Sequence, residues 1–176
     1  YKQRDEARRR AFLSEVGDMK APHLVYVDES GMDERDDYGY GYAPRGERVD
    51  ALKSGNRQGR INRLAGYRDA QRIAPFTVEG SCNRVVFETW LETCLLPVLH
   101  PGDWVILDNA TFHHGGRIAA LIESAGAQLV YLPPYSPDFN RIEKCWAWLK
   151  SRIRKQLHHA ESLRHAIELV LHHAAS

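Results

Sequence analysis

Two short apolar segments, each followed by an aspartate, decide the fold. Residues 24–31 read LVYVDESG and residues 104–109 read WVILDN. Their apolar runs are continuous and rich in β-branched side chains, which is typical of strands covered on both faces. A third such run, residues 128–132, leads into a proline-rich loop. We therefore expect three buried strands, the first two of which end in an acid.

The rest of the chain supplies helices and two further strands. Apolar residues at helical spacing predict helices at residues 3–16, 83–96, 115–125, 141–157 and 161–173. Segments 61–67 and 72–78 have the pattern of strands joined by a turn near Arg68, and residues 33–60 read as a weak strand followed by a long loop. This order predicts an α/β fold in which helices flank a mixed five-stranded sheet.

Composition excludes several classes of protein. The chain has 176 residues, of which 43% are hydrophobic and 27% are charged, an ordinary balance for a globular domain. Its apolar runs are too short to cross a bilayer, and its first residues lack the apolar segment of a secretory signal, so no membrane is expected. Three scattered cysteines (Cys82, Cys94 and Cys145) argue against a disulfide scaffold and favour a reducing compartment. Adjacent histidine pairs lack the further ligands of a zinc site.

Positive charge is concentrated in two blocks, although the net charge is only +1. Residues 43–72 hold eight Lys and Arg against three acids, and residues 141–159 hold six against one. Two such blocks suggest a cationic groove beside an anionic site, with a pair of solvated faces as the alternative. The candidate phosphate contacts are Arg45, Arg48, Lys53, Arg57, Arg60, Arg63, Lys150 and Arg154.

Three carboxylates are candidates for catalysis. Asp28 and Asp108 follow apolar strands, and Glu143 begins a helix after the proline-rich loop. Chemistry gathers at the carboxyl ends of adjacent parallel strands in such sheets. Converging acids repel one another, and a hard divalent ion, Mg²⁺ or Mn²⁺, resolves that conflict. Two such ions would drive in-line displacement at phosphorus.

Each carboxylate also has a structural alternative. Asp28 can cap a turn with Ser30, and Asp108 can cap the helix that follows it. Residues 140–143 match a capping box in which Glu143 is the reciprocal acid. Asn109 and His113 can orient a water, a phosphate or the Asp108 carboxylate, or they can simply cap and pack. Taken together with the flanking basic blocks, the three acids favour the metal interpretation.

Three segments carry a resemblance to a known family. Residues 24–31, 105–113 (VILDNATFH) and 131–150 (YLPPYSPDFNRIEKCWAWLK) resemble the catalytic domain of DDE-superfamily transposases. The most similar group is the bacterial insertion-sequence branch of the mariner-like superfamily. The 34 residues between Asp108 and Glu143 match the spacing of that group. One departure is Arg141, where many relatives have proline.

The resemblance implies a ribonuclease-H-like fold and metal-dependent cutting and joining of DNA. Asp28, Asp108 and Glu143 would be the catalytic triad and would hold Mg²⁺ or Mn²⁺, as two ions. Asn109 and His113 would be supporting residues. The implied partners are double-stranded DNA, both transposon ends and target, and a second copy of the chain on that DNA. The implied location is the bacterial cytoplasm, at the nucleoid.

The resemblance also implies a domain division. Residues 1–20 would be a helical lead-in and residues 21–176 the catalytic domain, and we expect the family's upstream helix-turn-helix region to be absent from this chain. Two alternatives to a transposase stay open at this point. One is a structure-selective endonuclease of the same fold, and the other is a non-catalytic DNA-binding remnant.

Overall fold

The computed structural model describes residues 5–33 and 59–174, and within them five strands form one mixed sheet. The strands are β1 (Leu24–Met32), β2 (Ile61–Arg68), β3 (Gln71–Glu79), β4 (Trp104–Leu107) and β5 (Gln128–Tyr131). Their order across the sheet is β3-β2-β1-β4-β5. The β1–β2 and β2–β3 pairs are antiparallel, whereas β1–β4 and β4–β5 are parallel. The expected mixed five-stranded sheet is confirmed.

Helices cover both faces of this sheet. They are α1 (Glu6–Gly17), α2 (Arg84–Trp90), α3 (Ile118–Ser124), α4 (Ile142–Leu157) and α5 (Leu163–Ala174). The single helix expected at 83–96 is interrupted, because α2 passes into a π-helical turn at Leu91–Leu95 and a 3₁₀ turn at Leu96–Val98. No helix in the described residues is both long and apolar enough to cross a membrane.

Side chains alternate between the two faces and build two apolar clusters. Tyr26 and Ile106 point towards α4 and pack with Trp146. Their neighbours, such as Val25, point to the opposite face and pack with Phe87 of α2. Because both faces are covered, β1 and β4 begin as the continuous apolar runs seen in the sequence.

Strand β1 is longer than its apolar run. The run ends at Val27, but β2 pairs with β1 as far as Met32, so Asp28 lies inside the strand rather than at its end. On its other side β1 pairs with β4, which stops at Leu107. Asp28 therefore lies just beyond the end of the parallel ladder, although it does not end β1 itself.

Backbone conformation sets two of the element boundaries. Helix α3 begins at Ile118, later than expected, because Gly115 and Gly116 have φ angles of 80° and 60°, in the left-handed region. The β2–β3 turn has positive φ at both Asp69 and Ala70, as a two-residue hairpin loop requires. The turn expected near Arg68 is confirmed. The weak strand and long loop expected within 33–60 fall largely on residues 34–58, outside the described residues.

Candidate active site

Asp28 is a buried acid on the α4 face of the sheet. Only 8% of the residue is exposed, and its Oδ1 accepts a hydrogen bond of 2.8 Å from the Glu29 N–H. Burial, and then the nearby charges of Glu143 and Asp108, raise the pKa of Asp28 to about 7. The turn-capping alternative is wrong, because residues 28–31 are extended strand and Ser30 Oγ has no hydrogen-bond partner.

Asp108 lies next to Asp28 at the end of β4. Tyr26 is opposite Ile106 in the parallel ladder, and continuing that register by two residues brings Asp108 alongside Asp28. Both aspartates are on the face covered by α4, because each is two residues beyond a residue of the cluster on that face. The parallel β1–β4 pairing is thus what brings the two carboxylates together.

His113 holds the Asp108 carboxylate. Its Nδ1 is 2.6 Å from Asp108 Oδ1, which also accepts a hydrogen bond of 2.9 Å from the Ala110 N–H. These hydrogen bonds, that of His113 first, lower the pKa of Asp108. The buried His113 Nε2 has no hydrogen-bond partner, so we infer that the ring carries its proton on Nδ1, towards the carboxylate.

Asn109 contacts a different element from His113. Its side-chain amide donates a hydrogen bond to the carbonyl of Leu132, just beyond β5. The bond ties the segment after β4 to the beginning of the proline-rich loop. Of the two supporting residues expected from the sequence, the structure thus brings His113 to Asp108 and Asn109 to the neighbouring strand end.

Glu143 lies in the first turn of α4, and the capping box expected as its structural alternative is not formed. The Asn140 N–H donates to the Pro137 carbonyl instead of to Glu143, and Asn140 Oδ1 is buried without a hydrogen-bond partner. The Glu143 N–H donates to the backbone carbonyl of Asn140 over 3.1 Å. The exposed Glu143 carboxylate is therefore not engaged in a helix cap.

Asp108 and Glu143 share one cavity of about 260 Å³. Other residues of its wall are Asn109, Tyr135, Ser136 and Asn140. Most of this wall belongs to the segment between β5 and α4. That segment therefore determines where Glu143 lies relative to the two aspartates.

The donor set suits a hard divalent ion, although no ion site is preformed. In residues 5–33 and 59–174 no three His, Cys, Asp or Glu side chains are close enough together to hold a metal as they stand. Asp28, Asp108 and Glu143 nevertheless offer only carboxylate oxygens, the donors that Mg²⁺ and Mn²⁺ prefer. Burial, and then the charges of Glu143 and Asp108, raise the pKa of Asp28, so a cation placed beside these acids would favour its ionised form. Because Glu143 is exposed, its side chain can change rotamer towards the aspartates.

Apart from Arg63, the candidate DNA contacts fall into three groups. Arg45, Arg48, Lys53 and Arg57 lie outside the described residues. Arg60 is exposed immediately before β2. Lys150 and Arg154 are half-buried on α4, about two and three turns after Glu143, so all three lie on the same side of the helix.

Arg63 does not fit the role expected for it. It is only 3% exposed, its three guanidinium nitrogens have no hydrogen-bond partner, and its Cζ is 5.9 Å from the centre of the Trp146 ring. Strand alternation explains this burial, because Ile61, Arg63 and Ala65 all point from β2 towards α4. A phosphate contact by Arg63 is therefore ruled out in this conformation.

Sequence reasoning missed two residues near the site. Tyr135 is 66% exposed in the cavity wall and has a φ of 55°, rare for a residue with a side chain. Its place between Pro134 and Ser136 was a signal that could have been used. Arg9 reaches the same loop from α1, and its only signal was that it shares a helical face with Phe12.

The overall fold is shared with transposases and an integrase. A paired-end complex of the Mos1 transposase with its left transposon end matches with a TM-score of 0.61 at 15% identity, over 85% of this chain and 47% of that one. The Mos1 mariner paired-end complex with Mn matches at 0.59 and 12% identity, over 96% and 57%. The catalytic core of the BIV integrase matches at 0.50 and 14% identity, over 85% and 81%. The chain spans about half the length of the Mos1 chains, and the fold is ribonuclease-H-like.

The family follows from the sequence itself. The family model described as DDE superfamily endonuclease matches residues 23–164, which include β1 to β5 and all three acids. No curated protein matches the sequence. The chain belongs to the DDE superfamily endonucleases.

Proposed function

We propose that this chain is the catalytic domain of a DNA transposase. It would cut phosphodiester bonds at transposon ends and join the freed 3′-OH to target DNA. The observation that carries the proposal is the meeting of Asp28 and Asp108 at the end of the parallel β1–β4 ladder, close enough to Glu143 for its charge to raise the pKa of Asp28.

The three carboxylates would hold Mg²⁺ or Mn²⁺, as two ions. Ions bound there would lower the pKa of an attacking water and stabilise charge on the phosphate oxygens. The chain's own residues do the positioning. His113 and the Ala110 N–H fix the Asp108 carboxylate through its Oδ1, and Asp28 would provide a second donor from a buried position.

Both reactions balance as substitutions at phosphorus. In cutting, a water oxygen bonds to phosphorus and the bond to the 3′ oxygen breaks, which leaves a 3′-OH and a 5′-phosphate. In joining, that 3′-OH oxygen bonds to a target phosphorus and the target's own 3′ oxygen leaves. One bond forms and one breaks in each step, so no energy source is required beyond the DNA itself.

The DNA backbone would run along α4. Lys150 and Arg154 extend from the site on the same side of the helix as Glu143, which suits a strand whose phosphates pass the acids and continue over the cations. We also propose that a second copy of the chain joins the complex on DNA and that the protein works at the bacterial nucleoid in the cytoplasm. The family resemblance supports both.

The proposal is tested with supercoiled plasmid and a fluorescent duplex that has a free 3′-OH, in Mn²⁺ and in Mg²⁺. We expect the plasmid to be nicked and the duplex to become covalently joined to it. Nicking without joining would mean a structure-selective endonuclease, and binding without either reaction would mean a DNA-binding remnant. Both results contradict the transposase proposal.

A matched pair of variants controls this assay. Glu143→Gln should abolish both reactions, because an amide is a poor ligand for a divalent ion. Glu123→Gln removes a glutamate that is also exposed, from α3 on the other face of the sheet, and should react like the parent. Equal loss of activity in both variants would show that the assay does not report on the site.

A further inference from the structure

One side chain fastens helix α1 to the loop that precedes α4. The Arg9 guanidinium donates hydrogen bonds of 3.1 and 2.7 Å to the two carboxylate oxygens of Asp138, and a third of 2.7 Å to Ser136 Oγ. Arg9 and Asp138 are 129 residues apart in the chain. Arg9 is only 7% exposed, whereas the Asp138 side chain is 50% exposed, so this two-pronged pair is buried on the side of the arginine.

Aromatic packing reinforces the same attachment. The Arg9 Cζ lies 3.8 Å from the centre of the Phe139 ring. Phe12, one turn further along α1, stacks on Phe139 at 5.7 Å with only 10° between the ring planes. One face of α1 therefore holds three side chains of the loop: the Ser136 hydroxyl, the Asp138 carboxylate and the Phe139 ring.

The loop held in this way is the one that leads to Glu143. Ser136 and Asn140 line the cavity that contains Asp108 and Glu143, and Phe139 immediately precedes Asn140. Because the capping box is not formed, the first turn of α4 lacks the usual local fixation by its own side chains. The contacts from Arg9 supply fixation from a distant part of the sequence.

We propose that Arg9 is a positioning residue for Glu143, so that α1 forms part of the active-site architecture. The inference rests on the proposed function, since it assigns Arg9 a role in that same site. The loop contacts of Arg9 are with Ser136, Asp138 and Phe139 and not with the three candidate catalytic acids, so it would act on Glu143 through the loop. Displacement of a catalytic group by about 1 Å can lower a rate by about 100-fold, so such fixation has catalytic consequences.

The test compares Arg9→Lys with Arg10→Lys. The first keeps the charge but loses the paired hydrogen bonds and the flat contact with Phe139. The second changes an exposed arginine of the same helix, whose Nε donates a hydrogen bond to the Glu6 carbonyl one turn earlier. Thermal unfolding fixes a temperature at which all the proteins are folded. At that temperature, Mn²⁺ binding is measured by calorimetry, and kcat and KM are measured for plasmid nicking.

We expect Arg9→Lys to weaken Mn²⁺ binding and to lower kcat, each by about 10- to 100-fold, with KM little changed. Arg10→Lys should match the parent. Asp138→Asn should reproduce the effect, and the double variant Arg9→Lys/Asp138→Asn should be no worse than either single variant, because all three break the same attachment.

Two results would overturn the inference in different ways. A parent that binds Mn²⁺ and nicks DNA, together with an Arg9→Lys variant that does both equally well but melts lower, would reduce Arg9 to a purely structural role. A parent that neither binds Mn²⁺ nor cuts DNA would overturn the proposed function and the inference together. Amide hydrogen exchange of residues 133–145 measures how firmly the loop is held, independently of activity. Exchange that is equally slow in Arg9→Lys and in the parent would show that Arg9 does not fix the loop.

Discussion

The β1 and β4 sides of the site carry the same residue type in opposite environments. Asp28 on β1 is 8% exposed and has a pKa raised to about 7, whereas the Asp108 side chain after β4 is 45% exposed and has a lowered pKa. The pKa of Asp28 is raised by burial first and then by its acidic neighbours, chiefly Glu143 and Asp108, against one backbone hydrogen bond. The pKa of Asp108 is lowered because His113 and a backbone N–H hold its carboxylate. The protein therefore favours the ionised form of Asp108 and disfavours the ionised form of Asp28.

The largest expected effect is the loss of plasmid nicking when either aspartate is replaced. Asp28→Asn and Asp108→Asn should each reduce plasmid nicking below detection, because each removes a charged ligand from a site that needs both. The measurement is nicking in Mn²⁺ at a temperature where circular dichroism shows a folded protein. Nicking at the parent rate by either variant would remove that aspartate from the site.

The stability of the metal-free protein should then separate the two aspartates. The folded protein keeps a proton on Asp28 up to about pH 7, whereas the unfolded chain loses it near pH 4, so burying Asp28 lowers the stability as pH rises between those values. Asp28→Asn should therefore stabilise the protein by about 2–4 kcal/mol at pH 8 and by little at pH 4. Urea unfolding at the two pH values measures this.

Asp108→Asn should have the opposite sign. The lowered pKa of Asp108 means that its ionised form stabilises the fold above pH 4, and that this contribution is lost as pH falls further. Loss of the charge-assisted hydrogen bond to His113 should cost about 1–2 kcal/mol at pH 8. If both variants were stabilised equally, the contrast between the two sides of the site would be wrong.

His113 should matter through Asp108 alone. His113→Phe fills the same apolar space but removes the hydrogen bond, and we expect Mn²⁺ affinity and nicking to fall by about 10- to 100-fold. His113→Asn can restore a donor near the position of Nδ1, so it should recover part of that loss. A phenylalanine variant with parental Mn²⁺ affinity would contradict this role.

The smallest effect concerns the cations beyond the acids. Neutralising Lys150 and Arg154 to Gln should weaken plasmid binding at all sequences and reduce the slope of log affinity against log salt by about two. Arg152→Gln is the control, because that side chain lies over Trp148 on another side of α4. An unchanged slope in the double variant would place the DNA elsewhere.

Much of the fold was predictable because apolar runs report burial. The runs at 24–27 and 104–107 and the helical spacing in α4 each reflect an element pressed against a core, and each was located correctly. The end of β1 was not located correctly. Its hydrogen bonding to β2 continues past Val27, although side-chain burial becomes mixed there. Backbone hydrogen bonding between strands constrains the residue types of a sequence much less than side-chain burial does.

The candidate site was predictable where the local sequence marks its residues, and not where it depends on distant contacts. Asp28, Asp108 and Glu143 were predicted from local context and family resemblance, and the structure places the two aspartates side by side. Arg63 was expected at the DNA because it is charged, although its alternation with Ile61 and Ala65 already indicated an inward side chain. Arg9 could not be found, since its partner Asp138 lies 129 residues away and nothing in α1 alone indicates that contact.

The central claim is that Asp28, Asp108 and Glu143 hold the divalent ions of a phosphoryl-transfer site. Anomalous diffraction from crystals soaked in Mn²⁺ tests it most directly, because it locates the metal without reference to activity. We predict a Mn²⁺ peak between the carboxylates of Asp28 and Asp108, with the Glu143 side chain turned towards it. A protein that nicks DNA in Mn²⁺ while its anomalous peaks lie away from both aspartates would contradict the claim.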